Sequence, residues 1–161
     1  MSRKNLALLL VLVLLITGFI FYNSLQSRED SRRASEVIEK VIEPFLDKIF
    51  GKGGVDANYL VRKGAHFFEF FVLGLVVFGV LSLSSKETVS LKYIFGYGMF
   101  YVLAIAVTDE FIQSFSDRAS SVIDVLIDFT GAISAFSVSV LIVQIIQGIR
   151  KRNRDKAADG K

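Results

Sequence analysis

The sequence predicts an all-α, polytopic membrane protein with four transmembrane helices and an extracytoplasmic amphipathic helix between the first and second. Three observations lead there. Hydrophobic residues make up 52% of a 161-residue chain, mean hydropathy is +0.51, and the apolar residues fall into four blocks, which is the composition of the membrane class. A fifth segment alternates apolar and charged residues at helical spacing. Basic residues crowd both chain ends, a charge asymmetry that sets orientation. The length suits one compact domain over residues 1–161.

The first span is expected over residues 6–22, after Arg3 and Lys4. A secretory signal peptide competes for this segment, since both begin basic and continue apolar. The run ends Phe19-Ile20-Phe21-Tyr22-Asn23, bulky and without an Ala-x-Ala cleavage pattern, so a retained anchor is expected. An amphipathic helix follows over residues 31–50. Val37, Ile38, Val41, Ile42, Phe45, Leu46, Ile49 and Phe50 recur at i, i+3, i+4 spacing. Asp30 or Ser31 is placed to cap its start, Gly51, Gly53 and Gly54 to end it, and Pro44 to kink it. It lies on the outer membrane surface, caps the bundle, or pairs with a second copy.

The second span is expected over 67–83, the third over 93–113 and the fourth over 122–147. Tyr93 to Val107 supplies only about 22 Å at 1.5 Å per residue, short of a hydrocarbon core of about 30 Å. The third helix must therefore start earlier, with Lys92 snorkelling, or continue through Asp109, Glu110 and Gln113. Gly131, Ala132, Ser134, Ala135, Ser137 and Ser139 read as a close-packing face on the fourth helix.

Residues 148–161 form a basic tail. Arg150, Lys151, Arg152, Arg154 and Lys156 place the C-terminus in the cytoplasm, and Arg3 and Lys4 place the N-terminus there too. Beside a span, such a tail anchors to anionic lipid and is not a nucleic-acid arm. With no cysteine there is no thiol chemistry, and a lone histidine excludes a His-rich metal centre.

That topology brings the polar residues of three span ends to the outer face. Lys63, His66 and Glu69 follow one another at three-residue spacing before the second span. Asp109, Glu110 and Gln113 close the third. Arg118, Asp124 and Asp128 lead into the fourth, the last two sharing a helix face. An ionisable group inside a membrane costs a few kcal/mol, about 2.5–3.5 on insertion scales, so these nine residues are the candidate site. Two arrangements satisfy such charges. One is an ion-pair clamp fixing helix register. The other is a polar pocket for a charged head group, glycan or peptide, with Lys63 and Arg118 as anion contacts and His66 as a group that titrates near neutral pH. The carboxylates also permit an ion or proton pathway, but charge is sparse on the inner halves of the spans.

At these residues the chain resembles the VanZ-like family of membrane proteins. The resemblance rests on Arg62-Lys63-Gly64-Ala65-His66-Phe67-Phe68-Glu69-Phe70-Phe71-Val72-Leu73-Gly74, and on Asp109, Glu110, Gln113, Arg118, Asp124 and Gly131. It covers roughly residues 60–147 and the anchor helix before them. Two positions depart: the family often carries Tyr where Phe70 stands, and Asn where Asp128 stands. The resemblance implies a bacterial cell-membrane protein and, for one branch, resistance to teicoplanin-type glycopeptide antibiotics. The expected partners are membrane lipids and a lipoglycopeptide or lipid-linked cell-wall precursor. No cofactor, no resident metal and no catalytic residue is expected on the binding reading. The alternative is an enzyme on a lipid-linked substrate, with His66 and a carboxylate as acid–base pair or with acids such as Asp124 and Asp128 holding Mg²⁺.

Overall fold

The computed structural model describes residues 3–84, 91–116 and 120–159, and among these every regular element is a helix. In chain order they are α1 (Arg3–Leu25), α2 (Arg28–Phe50), α3 (Ala57–Ser84), α4 (Leu91–Gln113) and α5 (Val122–Asp159). Four of them, α1, α3, α4 and α5, are long and apolar enough to cross a membrane.

Each helix is longer than the apolar run that predicts it. α3 begins at Ala57, ten residues before the apolar block at Phe67, so Arg62, Lys63 and His66 lie inside the helix. α4 extends both ways, from Leu91 and through Asp109 to Gln113. α5 has 38 residues, about 57 Å at helical rise, so it overruns a core of about 30 Å. The excess carries the basic tail, which is helical through Asp159.

α2 starts earlier than expected. Its cap is Ser27, whose Oγ accepts a hydrogen bond from the Asp30 backbone N–H at 3.2 Å, and not Asp30 or Ser31. The helix is continuous through Pro44. It stops at Gly51, whose φ of +82° falls where a side chain is strained. Its apolar row faces outward: Val37, Val41 and Phe45 are each more than 60% exposed, while only Leu46 of that row is buried.

α3 is the axis of the bundle and packs against all four other helices, most extensively α5. Their shared face is made of small residues. A Cβ built on Gly74 would lie 2.9 Å from Ala135 Cβ and 3.1 Å from Ala132 Cα, and one on Gly131 would overlap the Phe67 carbonyl oxygen. In lipid, where apolar side chains gain little by leaving the solvent, such close backbone contact is what holds helices together. Below this contact, Phe136 of α5 fills the core edge-on to Phe78 of α3 and Phe95 of α4, each at 5.4 Å between ring centroids. The lipid-facing sides are apolar and open; Phe100, Val107 and Leu126 are examples.

The buried stripes explain why the charges meet. On α4 the stripe runs Ile94, Gly98, Val102, Ala106, then Asp109, Glu110 and Gln113. On α5 it runs Asp124, Asp128, then Gly131, Ala132, Ala135, Phe136 and Ser139. On α3 it passes from His66 to Phe70, Leu73, Val77 and Phe78, and on α1 from Val13 and Ile20 to Ser24. Each stripe changes from apolar to polar, and alternating helix direction puts every change at the same end of the bundle.

Candidate functional site

The polar end of the bundle is built from α1, α3, α4 and α5. Lys63 Nζ donates to Asp124 Oδ1 in an ion pair whose side chains are 18% and 8% exposed, and the ammonium also sits 5.1 Å from the Tyr59 ring centroid. Asp109 is fully buried; its Oδ1 accepts from Ser24 Oγ and its Oδ2 from Gln113 Nε2 at 2.8 Å. Glu69 accepts from Asn23 Nδ2 at 2.8 Å. Glu110 Oε2 accepts from the Ser121 backbone N–H at 2.7 Å, and so ties the end of α4 to the start of α5.

His66 stands between two carboxylates. Its Nδ1 is 3.4 Å from Asp128 Oδ1 and 4.0 Å from Asp109 Oδ2. Asp128 is fully buried, and neither of its carboxylate oxygens has a hydrogen-bond partner among the described residues. His66, Asp109 and Asp128 each present a ligand atom within 4.8 Å of the others. The acid pair Asp124 and Asp128 does not form the corresponding site, because Lys63 takes Asp124.

A cavity of about 190 Å³ opens between the end of α1, the start of α2 and α3. Asn23, Gln26, Ser31, Ser35, Arg62, His66 and Glu69 supply its polar wall, and Ile38 and Val61 its apolar one. Arg62 also lines a second, polar cavity of about 330 Å³ with Arg32, Glu39, Asp56 and Asn58. Its Nε is buried without a hydrogen-bond partner among the described residues.

Lys63, His66, Glu69, Asp109, Glu110, Gln113, Asp124 and Asp128 thus gather at one end of the bundle, and Arg118 lies outside the described residues. Lys63 does not line the cavity and is engaged by Asp124, so the cation that lines it is the half-buried Arg62 instead. Sequence reasoning also missed Asn23, Ser24 and Ser121. Asn23 and Ser24 read as the place where an apolar run stops. The signal available was the alternation of helix direction, which puts the end of α1 beside the start of α3 and the end of α4.

Four membrane-length helices around a buried ionic centre define a multi-pass helical membrane protein with its polar groups concentrated at one end. The chain matches the VanZ/LLP1 family model over residues 9–144, and it belongs to that family. No curated protein and no solved structure matches it.

Proposed function

We propose that the protein binds the anionic head group of a membrane amphiphile at the polar end of its bundle, on the extracytoplasmic side, with both termini in the cytoplasm. The observation that carries this reading is the cavity under Arg62. A buried guanidinium nitrogen without a partner is costly, and a planar fork of donors suits phosphate or carboxylate. At about 190 Å³ the space is smaller than the roughly 300–1,000 Å³ of pockets that enclose whole drug-sized ligands. It fits a head group whose apolar part stays in the bilayer. The basic far ends of α1 and α5 support the orientation. Lipid-linked cell-wall precursors and lipoglycopeptides of the teicoplanin type carry this chemistry, and a contribution to resistance would follow from capturing either.

The test is co-purification in mild detergent from mixed phosphatidylglycerol and phosphatidylcholine, read by native mass spectrometry. Wild type is expected to retain the anionic lipid selectively, and Arg62→Ala to lose most of that selectivity. Equal retention by the two proteins at equal folded yield would sink the reading.

The same proposal places α2 in the outer interface. Val41 and Phe45 are 74% and 64% exposed, and transferring each to an apolar phase is worth about 2 kcal/mol. The chain has no cysteine, so a fluorophore on Val41→Cys reports one position. In vesicles it is expected to be shielded from aqueous iodide and quenched by spin-labelled lipid. Open access to iodide would refute interfacial burial; shielding from iodide and lipid alike would indicate a helix paired with a second copy.

A further inference from the structure

We propose that His66, Asp109 and Asp128 form a binding site for one divalent first-row cation, Zn²⁺ or Mn²⁺. The site shares His66 with the head-group cavity but does not depend on the cavity having a ligand.

The argument begins with Asp128. It is fully buried among helices, and neither oxygen has a hydrogen-bond partner among the described residues. Nearly all buried polar groups in native proteins are satisfied, so an exception calls for a physical account. Asp109, equally buried, stands in the same cluster. Two buried carboxylates at this separation repel unless one takes up a proton or a cation lies between them.

The distances also suit ligands of a single ion. An N–H···O hydrogen bond spans about 2.7–3.2 Å. The separations from His66 Nδ1 are 3.4 Å to Asp128 and 4.0 Å to Asp109, both longer than that. Ligands of one ion have a different spacing. With metal–ligand distances of about 2.0–2.2 Å in a tetrahedral site, neighbouring donor atoms lie about 3.4 Å apart. The His66–Asp128 separation matches, the His66–Asp109 separation needs a closure of about 0.6 Å, and the donor atoms of all three residues lie within 4.8 Å of one another before any ion draws them in.

The supporting residues are those a metal site requires. Ser24 and Gln113 hold the Asp109 carboxylate by hydrogen bonds from two other positions, which fixes a ligand before the ion arrives. One imidazole with two carboxylates is a mixed nitrogen and oxygen set, suited to Zn²⁺ or Mn²⁺ more than to a cation that takes only oxygen. Among the acids of this end, Asp124 is already neutralised by Lys63 and Glu69 is held by Asn23.

The experiment uses tag-free full-length protein in detergent, stripped with chelator and titrated with ZnCl₂ or MnCl₂. Saturable uptake of one ion per chain is expected. Asp128→Asn and Asp109→Asn, which preserve size, are each expected to weaken binding at least about tenfold, since even supporting residues of metal sites are worth about 10–100-fold. Glu43→Gln, on the exposed face of α2, is expected to bind as wild type does. His66 is the only histidine in the chain, so X-ray absorption of the loaded wild type identifies the site without any variant. One imidazole among light-atom donors at about 2.0–2.2 Å is expected. A spectrum without imidazole, no saturable uptake at millimolar metal, or unchanged affinity in folded Asp128→Asn would each overturn the proposal.

Discussion

Gly131→Leu is expected to abolish the folded bundle, and Gly131→Ala to destabilise it by about 1–3 kcal/mol, the usual cost of overpacking. The new Cβ meets backbone, which cannot rotate away as a side chain can: it would overlap the Phe67 carbonyl oxygen and lie 3.2 Å from the Phe71 nitrogen. Moving α3 outward would relieve the overlap, but it would also open the contact of Gly74 with Ala132 and Ala135. Membrane helices depend on such van der Waals contact for association, so relief at one place is loss at another. The site would follow. Asp128 stands one turn before Gly131 on the same stripe of α5, and His66 is adjacent to Phe67 on α3. The displacement that admits a side chain at 131 therefore separates His66 from Asp128. Gly64 and Gly96, with nothing within 4 Å of an added Cβ, are the controls: leucine at either is expected to leave the thermal midpoint and the gel-filtration profile near wild type. A Gly131→Leu protein that accumulates and melts like wild type would show that α3 and α5 are not in backbone contact.

The same contact shows what could be read from the sequence and what could not. The number of spans, the small-residue face of α5 and the shared end of the charged residues follow from hydropathy, spacing and chain direction, all local or additive properties. The start of α3 does not. Arg62, Lys63 and His66 look like a boundary because hydropathy assigns each charge its full cost. In the structure much of that cost is offset by residues far along the chain: Lys63 by Asp124, 61 positions away, and Glu69 by Asn23, 46 positions away. Pairings at that range depend on how α1 and α5 sit against α3, which a local window does not contain. The same holds for Ser24. Its hydroxyl meets Asp109 only because α1 and α4 end side by side, so a residue that terminates an apolar run becomes part of the ionic centre. The helical tail of α5 was missed for another reason. Residues 149–159 include neither glycine nor proline, and basic composition signals orientation while leaving helical propensity intact.

Lys63 and Asp124 form the pair whose removal separates a helix clamp from a ligand contact. Asp124→Leu leaves an ammonium mostly buried, with the Tyr59 ring 5.1 Å away as a remaining partner. Lys63→Met leaves a carboxylate that interacts electrostatically with Glu110 and Asp128. Breaking a buried pair from one side typically costs about 3–5 kcal/mol, whereas replacing both members with apolar side chains of similar size is often neutral. The double variant Lys63→Met/Asp124→Leu is therefore expected to regain most of the stability that either single change loses. The coupling is therefore expected to exceed about 3 kcal/mol, above the usual range for groups in direct contact. Chemical unfolding in detergent micelles measures it. Because Lys63 does not line the cavity beneath Arg62, the double variant is also expected to keep its selectivity for anionic lipid. Single variants as stable as wild type, or a double variant whose loss equals the sum of the two, would mean the pair does not hold α3 to α5. A stable double variant that has lost lipid selectivity would move the anion contact from Arg62 to Lys63.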